Sequence, residues 1–138
     1  MPMIEISEKD ILRSRIVTPA WYRVKIESVG QKMAASGTST NFPLEGTILY
    51  DADNGDKTFA GVPTPANWMF NSSAIGLAVE FLKALGTEVR PNMRVELKNA
   101  EGKEIDIFIE NGLYQGRAQN VINHKYRAPR VAGEISVE

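Results

Sequence analysis

The sequence predicts a mainly β fold, five strands closed into a small barrel with one α-helix between the third and the fourth. Three observations carry this expectation. Residues 71–86, NSSAIGLAVEFLKALG, read as an amphipathic helix, three strand-like runs precede it, and two follow. The apolar stripe of such a helix has to be buried against something, and closing five strands on themselves both provides a sheet and removes its unpaired edges.

Residues 7–13, SEKDILR, open with a short helix, because Ser7 can cap its start and Asp10 three positions on can reciprocate. Thr18 and Pro19 break the chain. In 21–29, WYRVKIESV, Tyr22, Val24, Ile26 and Ser28 alternate with Trp21, Arg23, Lys25 and Glu27, the pattern of a half-buried first strand. Residues 30–40, GQKMAASGTST, are small and polar and form a loop that carries Lys32. The second strand covers 41–51 with Phe42, Leu44, Gly46, Ile48 and Tyr50 on one face, and Gly46 in its middle marks a bend or bulge.

Residues 51–56, DADNGD, make an acidic turn around Asn54-Gly55. The carboxylates invite a calcium reading that fails in detail: Gly55 stands where the fifth ligand belongs, Asp56 where the glycine belongs, and Val62 where a bidentate Glu is needed. A solvated turn is the better account. The third strand is interrupted, since 57–62 is extended, Pro63 and Pro65 prevent regular pairing, and 67–70 resumes with Trp68 and Phe70 two apart.

In the helix, Asn71 or Ser72 supplies the cap, Ile75, Ala78, Val79, Leu82 and Leu85 recur at helical spacing, and Gly86 ends it in the left-handed region. Asn71-Ser72-Ser73 also fits the glycosylation acceptor pattern, but the cap explains it without a secretory signal. Residues 90–100 lean toward a helical turn opened by Pro91, over a strand through Val95 and Leu97. A strand over 102–110 then points Ile105, Ile107 and Ile109 inward, Asn111-Gly112 makes a tight turn, and 113–122 returns as its partner.

A chain of 138 residues, 43% hydrophobic and 24% charged, suits a single soluble domain, here 1–126 with its short N-terminal helical segment, followed by a flexible tail over 127–138. The absence of cysteine excludes disulfides and thiolate-bound metal and is compatible with a reducing compartment. The opening MPMIEISEKD lacks a basic region followed by an apolar run, so a cytoplasmic location is expected. A net charge of -1 argues against holding nucleic acid by bulk positive field, while a local basic groove stays open to it.

The order strand, strand, strand, helix, strand, strand is that of the oligonucleotide- and oligosaccharide-binding barrel, an OB-fold-like architecture. A ferredoxin-like fold needs a helix where GQKMAASGTST stands, and an immunoglobulin-like sandwich has no place for an amphipathic one. The chain also resembles the small phage and prophage single-stranded DNA-binding proteins of replication and recombination. The likeness lies in Pro19, Tyr22, Val24 and Ile26 of the first strand, the Ser36-Gly37 loop, and Phe81, Leu82, Ala84, Leu85 and Gly86 at the helix end. It continues through Gly102-Lys103, Tyr114, Gly116, Arg117, Asn120 and Ile122, so that it covers 19 to about 129. The closing EISVE departs from the strongly acidic, Phe-ended tail of cellular single-strand binders, which leaves recruitment of partners through the tail without support.

Binding of single strands needs cations for phosphates and aromatic faces for bases, each stack contributing roughly 1 to 3 kcal/mol. In the barrel the ligand face is built by strands two and three and by the loops after strands one and four. Lys32 lies on the first of these loops, Lys57 and Phe59 open strand three, Trp68 ends it, and Arg23 and Lys25 project from the polar side of strand one. Tyr114 and Arg117 border the last hairpin, and Lys125, Tyr126 and Arg127, with Arg130, form a basic aromatic patch of a kind that is more often plain solvated surface. Trp21 shares its side with Arg23, Lys25 and Glu27 and is either a stacking platform or packed under the N-terminal segment. Trp68 can equally close the barrel mouth, and Phe42, Phe70, Phe81 and Phe108 belong to the core.

No catalytic constellation is visible: His124 is the single histidine, with no nucleophile at a telling spacing, and phosphate- or dinucleotide-binding glycine patterns are absent. Neither enzyme activity nor a cofactor nor a metal is expected. The reading is a largely sequence-independent single-stranded DNA-binding protein of phage replication or recombination, working in the bacterial host cytoplasm. It would partner single-stranded DNA, and replication or recombination proteins, without a membrane, and a homo-oligomer is compatible with it. The rivals are a phage accessory or assembly β-barrel module that docks protein and no nucleic acid, and an oligosaccharide binder, which needs the rings and not the lysines.

Overall fold

The computed structural model describes residues 3–129. They form α1 (Glu8–Arg13), β1 (Ala20–Val29), β2 (Lys32–Met33), β3 (Thr40–Asp51), β4 (Met69–Asn71), α2 (Ala78–Ala84), β5 (Glu104–Tyr114) and β6 (Arg117–Arg127). Alternation in β1 decides the architecture. Tyr22, Val24 and Ile26 are buried while Lys25 is exposed, and the strand pairs antiparallel with β3 on one side and β5 on the other. The result is a six-stranded sheet in the order β2-β3-β1-β5-β6, with β4 joined to β3.

The expected five-stranded closed barrel is therefore corrected to a mixed α/β fold with an open sheet. Closure would require β6 to pair with the interrupted third segment, and that segment has little strand to give. β4 is three residues long and bonds only to β3. Ahead of it, Asn67 takes the place of a strand neighbour with its side chain, which donates to the Ile122 carbonyl at 3.0 Å and accepts from the Ile122 N–H at 3.1 Å. Pro63 and Pro65 are what keep this stretch irregular, since neither can donate to a ladder. The 57–62 run, expected to be extended, is mostly a turn, and Val62 meets β3 through Ile48.

Two bulges change which side chains face the core. Between Arg23↔Tyr50 and Val24↔Ile48 the extra residue is Leu49, so Tyr50 joins Arg23 on the outer face instead of following Ile48 inward. Between Ile26↔Gly46 and Ser28↔Glu45 the extra residue is Glu27, which turns Ser28 out and Val29 in. Gly46 is required here: a Cβ at this position would lie 2.4 Å from the Lys25 carbonyl oxygen. A third irregularity lies in β6, where residues 123–125 stand against the single Phe108 and His124 adopts φ 56, while Ile122 and Tyr126 both stay inward opposite Ile109 and Ile107.

The helical segment is shorter as an α-helix than its sequence predicts. Asn71 caps it by accepting from the Ser73 N–H at 2.8 Å, but Ser72–Leu77 is 3-10 helix with a kink at Ala74, and only Ala78–Ala84 is α-helical. Ala78, Phe81 and Ala84 are its buried residues, whereas Ile75 is left exposed. Gly86 ends the segment at φ 86 as expected. Phe81 packs with Trp68, Phe70 and Tyr126 in an aromatic cluster, the centre of a core completed by Ile105, Ile107 and Ile109. Each such side chain contributes about 1.5–3 kcal/mol by leaving water.

Asn111-Gly112 is not the turn. Both residues lie within β5, opposite Asn120 and Gln119, and the chain reverses at Gln115 (φ 51) and Gly116 (φ 77). Asn111 and Asn120 are instead used over long range, holding the N-terminal segment by bonds to the Val17 carbonyl, the Val17 N–H and the Arg15 carbonyl, each at 2.9 Å. Over 90–100 the regular part is a 3-10 turn at Leu97–Ala100. The Ser7–Asp10 capping box of α1 is present. The tail expected over 127–138 lies outside the described residues from Arg130 onward, and Arg127 itself ends β6.

Candidate nucleic-acid interface

Strand alternation places Trp21, Arg23 and Lys25 on the outer face of β1, opposite Phe108, Asp106 and Glu104 of β5. Asp106 in turn faces Arg127 of β6. The outcome is a patch in which rings and cations interleave across adjacent strands. Trp21 meets Phe108 edge-on, with ring centroids 5.5 Å apart. The Arg127 guanidinium lies 4.5 Å from the Trp21 ring centre, Lys125 Nζ lies 5.4 Å from that of Phe108, and Arg23 lies 5.5 Å from that of Tyr50.

One buried carboxylate organises these cations. Asp106 is 0% exposed; it accepts from Arg23 Nε at 2.5 Å and from Arg127 Nε at 3.3 Å. Arg23 also donates to the Tyr50 hydroxyl at 3.0 Å. Burial is the largest single influence and works against the Arg23 charge, but the hydrogen bond to Asp106 and the attraction of Asp106, Tyr50 and Glu104 together exceed it, so the guanidinium is held above its ordinary value. Arg127 is further bonded to Asp53 of the acidic turn, which anchors the turn beside the patch. Four cations, Arg23, Lys25, Lys125 and Arg127, thus stand among the carboxylates Asp53, Glu104 and Asp106, and Glu110 follows Phe108 on the same side of β5, bonded by the Asn123 side chain.

Of the residues singled out in the sequence, this face gathers Trp21, Arg23, Lys25, Lys125 and Arg127. It does not gather the others. Lys32 is on β2 at the far edge of the sheet, and Lys57 lies in the turn after the acidic hairpin. Phe59 is half-buried against Tyr22 with the Arg15 guanidinium 5.0 Å from its centre. Tyr114 and Arg117 flank the hairpin tip. Trp68 is 0% exposed and Tyr126 8%, so neither offers a ring to a base; they are joined inside the core by a 2.8 Å bond from Trp68 Nε1 to the Tyr126 hydroxyl. Arg130 lies outside the described residues.

Phe108 and Tyr50 are the members the sequence reading missed, and the core position expected for Phe108 is corrected: it is half-buried on the outer face opposite Trp21. Phe108 alternates with Ile105, Ile107 and Ile109, and its even number in an odd-numbered inward run is the signal that it faces out. Tyr50 had no such signal, because only the bulge at Leu49 turns it. Among the described residues no group of three or more His, Asp or Glu side chains could hold a metal ion, and no helix is long and apolar enough to cross a membrane. The acidic turn spends carboxylates on its own backbone: Asp51 accepts from the N–H of Asp53 and Asp56 from that of Thr58.

No family model matches the chain, and no curated protein matches it.

Proposed function

We propose that the chain binds single-stranded nucleic acid on the outer face of β1, β5 and β6, without sequence preference and without chemistry of its own. The observation that carries this is the pairing of Trp21 with Arg127 and of Phe108 with Lys125 on one solvent-facing surface. Each ring can take a base while its cation meets the adjoining phosphate, the combination that sequence-tolerant single-strand binding requires. This reading needs no barrel. An exposed sheet face serves, as it does in other single-strand-binding modules that stack bases on the aromatics of a flat sheet.

The likeness to phage single-stranded DNA-binding proteins makes DNA the preferred ligand, phage replication or recombination the setting, and the bacterial cytoplasm the location. Replication or recombination proteins would be further partners. Phosphate contact on this face falls to the exposed Lys25 and Lys125 beside the paired Arg127, so that binding is strongest at low salt and falls as salt rises.

A second reading, a protein-docking module, is favoured by one feature: Leu113 is 79% exposed and Tyr114 61% at the tip of the β5–β6 hairpin. Titration of a fluorescein-labelled oligo-dT by anisotropy, alongside duplex DNA and RNA, separates the two. Saturable binding that Lys125→Glu weakens tenfold or more supports the nucleic-acid reading. Absence of any anisotropy change at low salt supports the docking module.

A further inference from the structure

The acidic turn over 51–56 reaches the ring-bearing face with a single carboxylate. Asp51 accepts from the N–H of Asp53 at 2.8 Å and from that of Asn54 at 3.2 Å, and Asp56 accepts from the N–H of Thr58 at 2.7 Å. The Asp53 carboxylate makes no such bond among the described residues and crosses instead to Arg127 Nη2. The turn that carries it is tied to β1, because the Ala52 N–H donates to the Trp21 carbonyl at 2.8 Å. It is also closed on itself, since the Asp51 N–H donates to the Asp56 carbonyl and the Gly55 N–H to the Asp51 carbonyl, each at 2.8 Å. Asp53 is therefore placed at Arg127 by its neighbours.

Arg127 stands between two carboxylates that differ in access. Asp106, at its Nε, is 0% exposed and shared with Arg23, so a ligand arriving from solvent cannot replace it. Asp53, at Nη2, has a side chain that is 55% exposed. With both bonds made, the guanidinium lies over the Trp21 ring, 4.5 Å from its centre. A base that is to stack on that face has to move the guanidinium aside. A phosphate oxygen offers Nη2 the same kind of charge-assisted bond that the carboxylate gives it. Exchange of one anion for another at a partly exposed cation is nearly balanced, which is what a displaceable contact requires.

We infer that Asp53 is an internal competitor for the nucleic-acid phosphate: it occupies Arg127 in the free protein, keeps the guanidinium over Trp21, and is displaced when a strand supplies a base together with its phosphate. The inference rests on the single-strand reading and concerns the specificity and regulation of that same face. An uncharged aromatic ligand does not release Arg127, and a free anion that releases it gains no stacking. Asp53 thus selects for ligands that carry both groups.

The test measures binding of fluorescein-labelled oligo-dT at low salt by anisotropy. Asp53→Ala removes the contact and no bond within the turn, whereas Asp56→Asn removes the same charge from the same turn and keeps an oxygen for Thr58. Asp53→Ala is expected to bind about two- to fivefold tighter than the parent, the range of a partly exposed ion pair. The change in Asp56→Asn should be smaller, and Asp53→Ala added to Arg127→Ala should bring no gain. If the parent binds and Asp53→Ala binds no better, the inference is overturned and the single-strand reading stands. An equal gain in Asp56→Asn, or a gain that persists without Arg127, overturns it in the same way. No binding by the parent or by Asp53→Ala overturns both. A measurement without DNA covers the case of an Arg127 variant that fails to fold: in Trp68→Phe, which retains Trp21 as its one tryptophan, adding Asp53→Ala should raise acrylamide quenching as Arg127 leaves the ring. Quenching that stays unchanged overturns the inference.

Discussion

Arg23 and Asp106 form a buried ion pair across β1 and β5, with Nε 2.5 Å from Oδ1 and both side chains withdrawn from solvent. The carboxylate is shared, since Arg127 approaches its other oxygen at 3.3 Å. Asp106 lies on the same side of β5 as Phe108 and bonds the Arg127 that covers the Trp21 ring, so the electrostatics of the patch and the stability of the sheet depend on the same residue. Replacing Asp106 by Ala leaves guanidinium charge in a site built to neutralise it, and removing one partner of such a pair costs about 3–5 kcal/mol. Urea unfolding of Asp106→Ala is expected to show a loss of that size. A change within experimental error would mean that the pair is not a structural element.

His124 makes stability depend on pH. Its Nδ1 lies 2.9 Å from the Tyr126 hydroxyl, which also accepts from Trp68 Nε1. Burial holds the His124 pKa below its ordinary value of 6.5. The unfolded chain therefore binds a proton that the folded chain refuses, and stability present above about pH 6.5 is lost as the pH falls through the folded-state value. Urea midpoints measured from pH 7.5 down to pH 5 should decline, and His124→Asn, which tolerates the positive φ at this position, should flatten that decline. An identical pH profile in the variant would remove His124 from the account.

Gly46 tests the bend in β3. With backbone, not a flexible side chain, 2.4 Å from the position of a Cβ, Gly46→Ala forces β1 and β3 apart at their bulge. A loss of about 2–3 kcal/mol is expected from thermal or urea unfolding. Gly112 offers a contrast, because a Cβ there would meet the Val121 side chain at 3.3 Å, and Gly112→Ala should cost less.

The two tryptophans are separable by solvent. Trp68 is fully buried and hydrogen-bonded, while Trp21 is half-buried on the outer face. Acrylamide should quench the emission of Trp68→Phe, which retains only Trp21, more strongly than that of Trp21→Phe. Equal quenching would contradict the placement of Trp68 in the core.

Local pattern was legible where one residue's neighbours settle its role. The alternation of β1 as far as Ile26, the Ser7 and Asn71 caps, and the left-handed Gly86 stand in the structure as their sequence predicts, whereas Ser28 is turned out by the bulge at Glu27. What failed were choices between local signals and distant ones. Asn111-Gly112 is the strongest turn dipeptide of its region, yet Asn111 is worth more as a donor to the Val17 carbonyl, a partner 94 positions away. The closed barrel failed for the same reason, since element order does not reveal that Asn67 satisfies Ile122 by its side chain in place of a strand. For the candidate face, alternation placed Trp21, Arg23 and Lys25 on one side of β1, where the register has them. The bulge that turns Tyr50 outward could not be read from the chain alone.

The most direct measurement of the proposed function is the emission of Trp21 in Trp68→Phe during titration with oligo-dT at low salt. Saturable quenching is predicted, with an affinity that falls as salt rises by a logarithmic slope of about −0.7 for each phosphate engaged, and that Arg127→Glu weakens in parallel. Emission that stays constant over the titration, in a variant whose far-ultraviolet circular dichroism matches the parent, would contradict base stacking on this face.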